Sequence, residues 1–341
     1  MRIAVLRPQV PFARGGAEIF TDRLVDELRA RGHEADLVSV PFKWYPGARV
    51  LTQAFLWRML DLEEADGKAI DVVVATKFPS YLVRHRDKRV WLVHQFRQAY
   101  ELDGTPLAQF GDSSEDRALR RKVQALDRVA LSEATRLFAT SRNVAGRLDA
   151  STGLSAEVLP HPPQPLAYRC EGYGDFVLSV NRLDRAKRID LLIEAAARDG
   201  ALDVVIAGDG PDRDRLEQLA RERGLNGRAR FTGRISEGEL ADLYARCLAV
   251  YYAPVDEDYG MVPLEAFLSE KPVLTTTDAG GPLEVVADGS TGLVVAPDVA
   301  EIARALGWFR EHPDEAASYG RAGKAIAAEV TWDRAIGRLL A

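Results

Sequence analysis

A proline-rich segment near the middle of the chain most limits what this sequence can fold into. Residues 160–165 read Pro-His-Pro-Pro-Gln-Pro, with four prolines in six positions. Because proline has no backbone N–H and a fixed φ, this segment can continue neither a helix nor a central strand. We interpret it as a linker between two domains, residues 1–163 and 164–324. A chain of 341 residues is long enough to give each domain its own core.

Short apolar runs alternate with amphipathic runs on both sides of this linker. Such alternation predicts parallel sheets covered by helices on both faces. The expected fold class is therefore α/β, with two doubly wound Rossmann-like domains facing each other across a cleft. The predicted strands are 2–7, 34–40, 72–75, 90–93, 136–139 and 156–159 in the first half, and 176–180, 203–207, 229–231, 248–253, 272–275 and 292–295 in the second.

Composition and charge narrow the class of protein. The chain is 47% hydrophobic and 28% charged, it begins with a strand rather than a targeting peptide, and no apolar run is long enough to cross a bilayer. Two cysteines without a secretory signal favour a reducing compartment, so we expect a cytoplasmic protein, membrane-associated at most at the inner face. Residues 1–166 carry 24 Lys and Arg against 21 Asp and Glu (+3), and the remainder carries 21 against 30 (−9). The first half is therefore the one expected to face an anionic surface or substrate, and no nucleic-acid partner is predicted.

Residues 251–266 combine an apolar strand, an acidic loop and the start of a helix, and we place the chemistry there. The loop contains Glu257 and is followed by Gly260, which allows a sharp turn. Pro263 suits the first turn of a helix, so Glu265 lies near that helix's beginning. Ligands of open α/β sheets bind beyond the carboxyl ends of strands, where both carboxylates could be aimed into one cleft. The alternative is a solvated acidic loop before an ordinary helix.

Two further turns of the second half follow predicted strands. Residues 181–188 read Asn-Arg-Leu-Asp-Arg-Ala-Lys-Arg. Arg182 offers a planar fork of donors and Lys187 a mobile point charge, which together suit a diphosphate, although a basic surface loop is the alternative. Gly208-Asp209-Gly210 ends the next strand, and its glycines either permit close approach of a ligand or serve the turn alone.

The first half offers two candidate positions of the same kind. Gly15 and Gly16 lie where the first strand turns into a helix, and glycines there let backbone N–H groups approach a phosphate. A tight turn that needs positive φ is the alternative, and the Gly-x-Gly-x-x-Gly pattern is absent. His94 follows strand 90–93 at the carboxyl end, where it points at the cleft, although a lone histidine is usually structural. Arg97 could serve a phosphate or merely a carboxylate.

Two other segments of the first half allow simpler interpretations. Residues 50–62 form an apolar helical stretch that could hold an acceptor or touch a membrane surface. The alternative is a helix that is core on one side. The basic run 84–89 is expected to be a solvated loop.

Taken together, these pieces resemble the group 1 retaining glycosyltransferases of the GT-B fold, which transfer sugars from nucleotide donors. The resemblance covers essentially the whole chain, and the pieces occur in the family's order. They are Gly15-Gly16-Ala17-Glu18, His94, Ser179-x-x-Arg182-Leu183, Lys187, Gly208-Asp209-Gly210, Glu257 with seven residues before Glu265, and Gly280-Gly281-Pro282-x-Glu284. Each piece alone is short, whereas their order and spacing together are specific.

The resemblance implies that these residues clamp a nucleotide sugar. Glu265 would take the donor ribose hydroxyls and Glu257 would contact the donor sugar. Arg182 and Lys187 would neutralise the diphosphate, on which Gly15-Gly16 would close from the other domain. The donor-binding positions implied are Gly15, Gly16, Arg182, Lys187, Gly208, Arg234, Ile235, Glu257, Tyr259, Gly260, Met261, Val262 and Glu265.

The resemblance also implies roles in the reaction and in the fold. His94 would lie near the reaction centre, so that the catalytic set is His94, Glu257, Arg182 and Lys187. Residues 233–235 would contact the base through their backbone. A final helix, about 325–341, would cross back to complete the first domain.

The implied reaction is retaining and independent of metal. The donor would be a UDP- or GDP-linked hexose-type sugar, with no further cofactor, and the acceptor a glycan, a lipid-linked glycan or a small molecule, with peripheral membrane contact through the first domain left open. No metal site is predicted, because the pairs Asp212-x-Asp214 and Asp256-x-Asp258 have neither a histidine nor a third acidic partner. A nucleotide-sugar epimerase of similar build, or a catalytically silent partner or carbohydrate-binding subunit, are the alternatives.

The sequence departs from the family's pattern beside the donor residues. Asn181 stands where the family often has glycine, Arg188 replaces another frequent glycine, and Asp258-Tyr259 replaces a common Gly-Phe. These departures put the identity of the donor sugar in doubt rather than the activity.

Overall fold

The chain divides into two units, each built on its own six-stranded sheet. The computed structural model describes residues 1–12 and 15–341. The first unit comprises Met1–His161 and Trp332–Ala341, and the second comprises Pro162–Thr331. The strands of both large sheets pair in parallel. The predicted α/β class with two parallel sheets is therefore confirmed.

The first unit follows the predicted alternation of strands and helices. Its sheet has the order β2-β1-β5-β6-β7-β8, and β3 and β4 form a separate antiparallel hairpin, which was not predicted. Along the chain the elements are β1 (Arg2–Gln9), α1 (Gly16–Ala30), β2 (Glu34–Pro41), α2 (Ala48–Met59), β3 (Glu64–Ala65), β4 (Lys68–Ala69), β5 (Val72–Lys77), β6 (Lys88–His94), α3 (Ser114–Ser132), β7 (Arg136–Ala139), α4 (Arg142–Thr152) and β8 (Glu157–Val158).

The second unit repeats this construction with a different strand order. Its sheet runs β11-β10-β9-β12-β13-β14, which is 3-2-1-4-5-6 when its strands are counted from the first. The elements are β9 (Phe176–Val180), α5 (Ile189–Asp199), β10 (Asp203–Ala207), α6 (Arg213–Glu222), β11 (Ala229–Gly233), α7 (Glu237–Arg246), β12 (Ala249–Tyr251), α8 (Val262–Leu268), β13 (Val273–Thr276), β14 (Gly292–Val295), α9 (Val299–Glu311) and α10 (Pro313–Ala328), and the chain ends with α11 (Trp332–Leu340).

Apolar side chains cover both faces of each sheet. In the first unit, α2, α3 and α4 pack on one face, and α1 packs on the other together with α11. In the second unit, α5, α6 and α9 cover one face, whereas α7, α8 and α10 cover the other. Burial of the continuous apolar strands between two helix layers is what holds each parallel sheet together.

The last helix belongs to the first unit. Ile336 and Leu339 of α11 are buried against the same face of the sheet as Phe20 of α1. Arg89 donates a hydrogen bond of 2.6 Å to the Leu339 carbonyl, and Arg338 contacts the Glu157 carboxylate at 2.6 Å. A buried apolar stripe and two charged contacts therefore fix α11 on this unit.

The expectation that residues 84–89 form a solvated loop was wrong for their last part: residues 84–87 form a loop with Arg84 and Arg86 exposed, whereas Lys88 and Arg89 are buried in a strand. Lys88 begins β6 and is completely buried. Its Nζ donates hydrogen bonds of 2.8–3.1 Å to the carbonyls of Tyr81, Val83 and Ala130, and lies 3.1 Å from Glu133. All three ammonium protons thus have acceptors, which offsets the cost of burying the charge.

Helix α2 is a core helix on one face only. Val50, Ala54 and Trp57 are buried, whereas Phe55 and Met59 are exposed. In the described part of the chain, no helix combines the length and apolarity needed to cross a membrane.

Candidate functional site

The strand order of the second unit identifies one position on its sheet as a candidate binding site. Strands β9 and β12 are neighbours, and the chain moves away from them in opposite directions, toward β10 and β13. In open α/β sheets a ligand binds at such a reversal, beyond the carboxyl ends of the two strands. The loops that leave β9 and β12 are residues 181–188 and 252–261, which contain the main predicted site residues.

Lys187 and Glu257, one from each loop, form an ion pair that bridges the two strands. Both side chains are largely buried, with 18% exposed. Burial disfavours the charged lysine, but the Glu257 carboxylate and the Tyr252 hydroxyl outweigh it and raise the pKa of Lys187. Nζ also lies 5.5 Å from the centre of the Tyr252 ring. The structure thus brings two predicted residues together and keeps the lysine charged.

Backbone hydrogen bonds hold the acidic loop in place. The Val255 N–H donates to the Ala186 carbonyl at 2.8 Å, and the Glu257 N–H donates to the Ala279 carbonyl at 2.8 Å. Gly260 has a φ of +78°, which residues other than glycine rarely adopt. The loop that carries Glu257 is therefore fixed to the turns on both sides of it.

Arg182 differs from the other cations of its loop. Its guanidinium is exposed and, within residues 1–12 and 15–341, forms no hydrogen bond or salt bridge. Arg188, by contrast, makes a bidentate contact with Asp278 at 2.6 and 2.7 Å. Arg182 is thus available to an anion beside the Lys187–Glu257 pair, whereas Arg188 is already neutralised.

The glycines at the end of β10 serve close packing of two loops. A Cβ on Gly208 would lie 1.8 Å from the Asn181 carbonyl oxygen, and Gly208 has a φ of +131°. A Cβ on Gly210 would lie 2.2 Å from the Leu183 oxygen. Because the Leu183 N–H also donates to the Asp209 carbonyl at 3.1 Å, the Gly-Asp-Gly turn supports the loop of Arg182 directly.

Glu265 lies in the short helix α8 and is only 6% exposed. Its Oε2 accepts a hydrogen bond of 2.6 Å from the Tyr244 hydroxyl, whereas Oε1 has no donor among the described residues. Burial raises the pKa of this carboxyl, and the Tyr244 hydrogen bond partly opposes the rise. The Tyr168 hydroxyl near it is buried without a hydrogen-bond partner in the described structure. Sequence reasoning missed Tyr244, because nothing near it in the chain indicates its contact with Glu265.

The remaining predicted donor residues lie at the same edge of the second sheet. Arg234 and Ile235 follow β11 directly, and Arg234 is exposed. Tyr259 is half-buried, and burial together with the Glu284 carboxylate raises the pKa of its hydroxyl. Met261 and Val262 lie at the start of α8.

In the first unit, Gly15 caps helix α1. Its φ is −141°, so the alternative that required a positive φ does not apply to it. The Gly15 N–H donates to Glu18 Oε2 at 2.9 Å, and Lys77 Nζ lies 2.8 Å from Glu18 Oε1. Residues 13 and 14 of this loop lie outside the described residues, and Gly16 is the first residue of the helix.

The Glu18–Lys77 pair occupies the strand reversal of the first sheet. Glu18 belongs to the helix after β1 and Lys77 ends β5, which is the neighbour of β1. Burial raises the pKa of Glu18, but Lys77 outweighs this and lowers it. Sequence reasoning missed Lys77, although its place after the apolar run of β5 is the same signal that singled out His94.

His94 is the last residue of β6, where the sequence placed it at a strand's carboxyl end. Its Nδ1 lies 2.5 Å from the Gln95 carbonyl oxygen, which fixes the tautomer with a proton on Nδ1. Arg97 contacts Glu101 at 2.7 Å, so a carboxylate is its partner.

Among the described residues, no three His, Cys, Asp or Glu side chains are grouped so that they could hold a metal ion. Asp212 of one predicted Asp-x-Asp pair is instead held by Arg215 at 2.6 Å.

Comparison with known proteins assigns a family to the second unit. Residues 171–326 match the family described as glycosyl transferases group 1. This part of the chain is a group 1 glycosyl transferase domain. The matched residues include the site at the strand reversal of the second sheet, from Arg182 to Glu265.

Curated relatives match just under half of the chain. The alpha-1,3/1,6-mannosyltransferase ALG2 of Mus musculus is 30% identical over 169 residues, which is 45% of this chain and 40% of that protein. A D-inositol 3-phosphate glycosyltransferase of Mycolicibacterium paratuberculosis is 36% identical over 175 residues, 49% of this chain and 39% of that protein. The chain spans about two fifths of the length of these relatives.

Solved structures match both units and confirm the GT-B fold. Sucrose-phosphate synthase of Thermosynechococcus elongatus has a TM-score of 0.82 at 20% identity and covers 99% of this chain and 98% of its own. Anabaena HepE in complex with UDP-glucose has a TM-score of 0.72 at 18% identity and covers 100% and 98%. At these identities the similarity concerns the fold alone.

Proposed function

We propose that this chain transfers a hexose-type sugar from a UDP- or GDP-linked donor to a hydroxyl group of an acceptor, with retention of configuration. The acceptor is a glycan, a lipid-linked glycan or a small molecule, and no metal takes part. One observation carries the proposal: Arg182, which has no hydrogen bond or salt bridge among the described residues, shares the loop after β9 with Lys187 of the Lys187–Glu257 pair, at the strand reversal of the group 1 domain. Anabaena HepE, which shares the fold, forms a complex with UDP-glucose.

The charges of the site suit a diphosphate. Arg182 provides a fork of N–H donors that forms no hydrogen bond or salt bridge among the described residues, although the Asp184 carboxylate lies close enough to interact with it electrostatically. Lys187 adds a second positive charge, whose pKa is raised by Glu257. The two cations stabilise the negative charge that develops on a departing nucleoside diphosphate. Stabilising this charge is the main electrostatic requirement of the reaction.

The carboxylates suit the hydroxyl groups of the same donor. Glu265 keeps one oxygen on Tyr244 and leaves Oε1 for the ribose hydroxyls. Glu257 is held by its pair with Lys187, where it would contact a hydroxyl of the donor sugar. The same arrangement gives the donor three points of attachment along its length.

The reaction proceeds by substitution at the anomeric carbon. The bond from this carbon to the diphosphate oxygen breaks, and its electron pair leaves with the nucleoside diphosphate. The acceptor oxygen forms the new bond on the same face, and its proton passes to the departing phosphate. Arg182 and Lys187 stabilise that leaving group, and we assign His94, Gly15 and Gly16 of the first unit to the same reaction.

The alternatives gain nothing from the comparisons. An epimerase would alter the free donor without an acceptor, and a silent partner would lack a competent donor site, whereas Arg182, Lys187 and Glu265 are all present in the sequence.

Both cysteines are free, as is usual in a reducing compartment, which supports the cytoplasmic location that is part of this proposal.

The test begins with a donor screen by thermal shift with UDP-, GDP- and dTDP-linked sugars, since a tight ligand raises apparent stability. The stabilising donor is then incubated with candidate acceptors, and release of the nucleoside diphosphate is followed. Arg182→Ala should lower turnover on the order of 100-fold or more. The matched control is Arg221→Ala, an exposed arginine in the last turn of α6 that is not among the predicted donor residues. Conversion of the free nucleotide sugar with no acceptor present, or full turnover in Arg182→Ala, would overturn the proposal.

A further inference from the structure

Two neighbouring helices of the first unit expose large apolar side chains. On α2, Phe55 is 65% and Met59 70% exposed, and Leu56 is also exposed. On α3, Val129 is 56% exposed and Leu126 is exposed as well. These five residues define what we call the α2–α3 face. Side chains of this size are seldom left in water in such a group without a partner.

Contacts at both ends show that the two helices run side by side. At the start of α2, a Cβ on Gly47 would lie 2.9 Å from Leu119 of α3. At its end, Arg58 makes a bidentate contact with Glu133 at 2.5 and 2.6 Å. Four residues of the α2–α3 face lie between these two contacts, and the fifth, Met59, directly follows Arg58.

Helical periodicity places the exposed side chains next to one another. Phe55 precedes Arg58 by three residues, so both lie on the side of α2 that faces α3. Leu126 lies seven residues after Leu119 and seven before Glu133, on the corresponding side of α3. Met59 is four residues after Phe55, and Val129 three after Leu126, which extends the apolar surface along both helices. Periodicity therefore places Phe55 and Met59 of α2, and Leu126 and Val129 of α3, on the sides where the two helices meet, and Leu56 directly follows Phe55.

Basic residues border the α2–α3 face. Arg49 precedes Leu56 by seven residues, and Lys122 precedes Leu126 by four, so each shares a face with an apolar residue. Arg121 and Arg128 are exposed on α3 as well. In the described structure none of these four side chains has a hydrogen bond or an ion pair.

Between the first and last turns of the described helices α2 and α3, no Asp or Glu side chain is exposed. Helix α2 contains no Asp or Glu. The acidic residues of α3 are Glu115 and Asp116 in its first turn and the completely buried Asp127. Asp61, Glu63 and Glu64 follow α2 beyond its last turn. The α2–α3 face thus combines exposed apolar side chains with unneutralised positive charge.

We propose that the α2–α3 face docks on the surface of an anionic lipid bilayer. Apolar side chains of this size insert at the boundary of headgroups and acyl chains, and free Lys and Arg around them are attracted to negatively charged headgroups. Charge complementarity favours this occupant over a second copy of the same face, because two such faces would bring like charges together. The preceding Tyr45 is also exposed, with Lys43 Nζ 4.8 Å from its ring centre, a pairing that suits the polar side of a membrane. This proposal does not depend on the transfer reaction.

Sedimentation of the full chain with lipid vesicles tests the proposal. The protein should sediment with phosphatidylcholine vesicles that contain phosphatidylglycerol, and far less with phosphatidylcholine alone. Each basic residue near the membrane adds about 1 kcal/mol, which is about fivefold in partition. Arg121→Ala with Lys122→Ala should therefore weaken binding about 25-fold, and added salt should weaken it as well. Phe55→Ser with Met59→Ser should abolish the insertion and lower binding at least as much.

Matched substitutions in the second unit serve as controls. Ile326 is 39% exposed and Arg221 is exposed, so Ile326→Ser with Arg221→Ala removes the same kinds of side chain elsewhere. These controls should bind vesicles as the unaltered protein does, and all variants should keep the unaltered far-UV circular dichroism. Absence of binding to anionic vesicles, equal binding to both vesicle types, or a dimer in sedimentation velocity that Phe55→Ser with Met59→Ser dissociates would each overturn the proposal. Donor binding is measured separately, so failure here is distinguishable from failure of the proposed function.

Discussion

Replacement of Asp127 by asparagine should change how the stability of the first unit depends on pH. Asp127 of α3 is completely buried, and it forms no ion pair with any of the described residues. Its Oδ2 accepts hydrogen bonds from the Tyr100 hydroxyl at 2.8 Å and from Gln95 Nε2 at 3.4 Å. Burial raises the pKa of Asp127 to about 7, against the smaller opposing effect of the hydrogen bonds from Tyr100 and Gln95. The carboxyl is thus protonated in the folded protein under mildly acidic conditions.

The direction of the effect follows from the two pKa values. The unfolded chain loses this proton near pH 4, whereas the folded chain keeps it until about pH 7. Stability is therefore full below pH 4, falls between pH 4 and 7, and changes no further above pH 7 on account of this group. One pKa unit corresponds to about 1.4 kcal/mol, so the fall over about three units is on the order of 4 kcal/mol. Because an asparagine side chain does not titrate, the Asp127→Asn protein should escape that fall.

Urea unfolding at pH 5 and pH 8 measures this difference. Tryptophan fluorescence is a suitable signal, because four of the five tryptophans, Trp44, Trp57, Trp91 and Trp332, lie in the first unit. Relative to the unaltered protein, Asp127→Asn should gain about 3 kcal/mol between pH 5 and pH 8. The exposed Asp149→Asn in α4 is the control and should follow the unaltered profile. Parallel profiles for Asp127→Asn and the unaltered protein would refute the reasoning.

Three further predictions concern other buried polar contacts. Tyr244→Phe removes the hydrogen bond that opposes the raised pKa of Glu265, so the pKa of Glu265 should rise further. Affinity for the donor, measured by titration calorimetry, should therefore fall more at pH 6 than at pH 8. Equal losses at both pH values would contradict this. Glu257→Gln removes the carboxylate charge that raises the pKa of Lys187. The KM for the donor, measured by enzyme kinetics, should therefore increase, whereas the circular dichroism spectrum should show little change in fold. Lys88→Met leaves three buried carbonyl groups without a donor, at a cost of about 1–3 kcal/mol each, so urea unfolding should show a clear loss of stability; an unchanged midpoint would exclude the proposed role of Nζ.

Much of the fold could be predicted from the sequence because parallel strands give a strong local signal. Strands β9, β10 and β14 have the predicted bounds, and the division between the two units, at His161 and Pro162, falls within the proline segment. The strand order could not be predicted from the chain, since it depends on contacts between distant segments. The reversal at β9 and β12, which gives Lys187 and Glu257 a common position, therefore needed the structure.

Residues with distant partners were the ones that sequence reasoning misjudged. Lys88 lies in a basic run that looks solvated, and its acceptors come from a turn and from α3. The pattern also could not show that Gly208 leaves room for the Asn181 carbonyl, or that Arg188 is neutralised by Asp278. Such contacts join segments that are far apart in the chain, and the spacing of residues within one segment does not reveal them.

The affinity of the full chain for a nucleoside diphosphate tests the central claim most directly. The claim is that the strand reversal of the group 1 domain binds the diphosphate through Arg182. Titration calorimetry with UDP and GDP should show binding of at least one of them, and Arg182→Ala should weaken it about 10- to 100-fold, as expected for a hydrogen bond to a charged group. Arg221→Ala should leave the affinity unchanged. Equal affinity of Arg182→Ala and the unaltered protein would contradict the account.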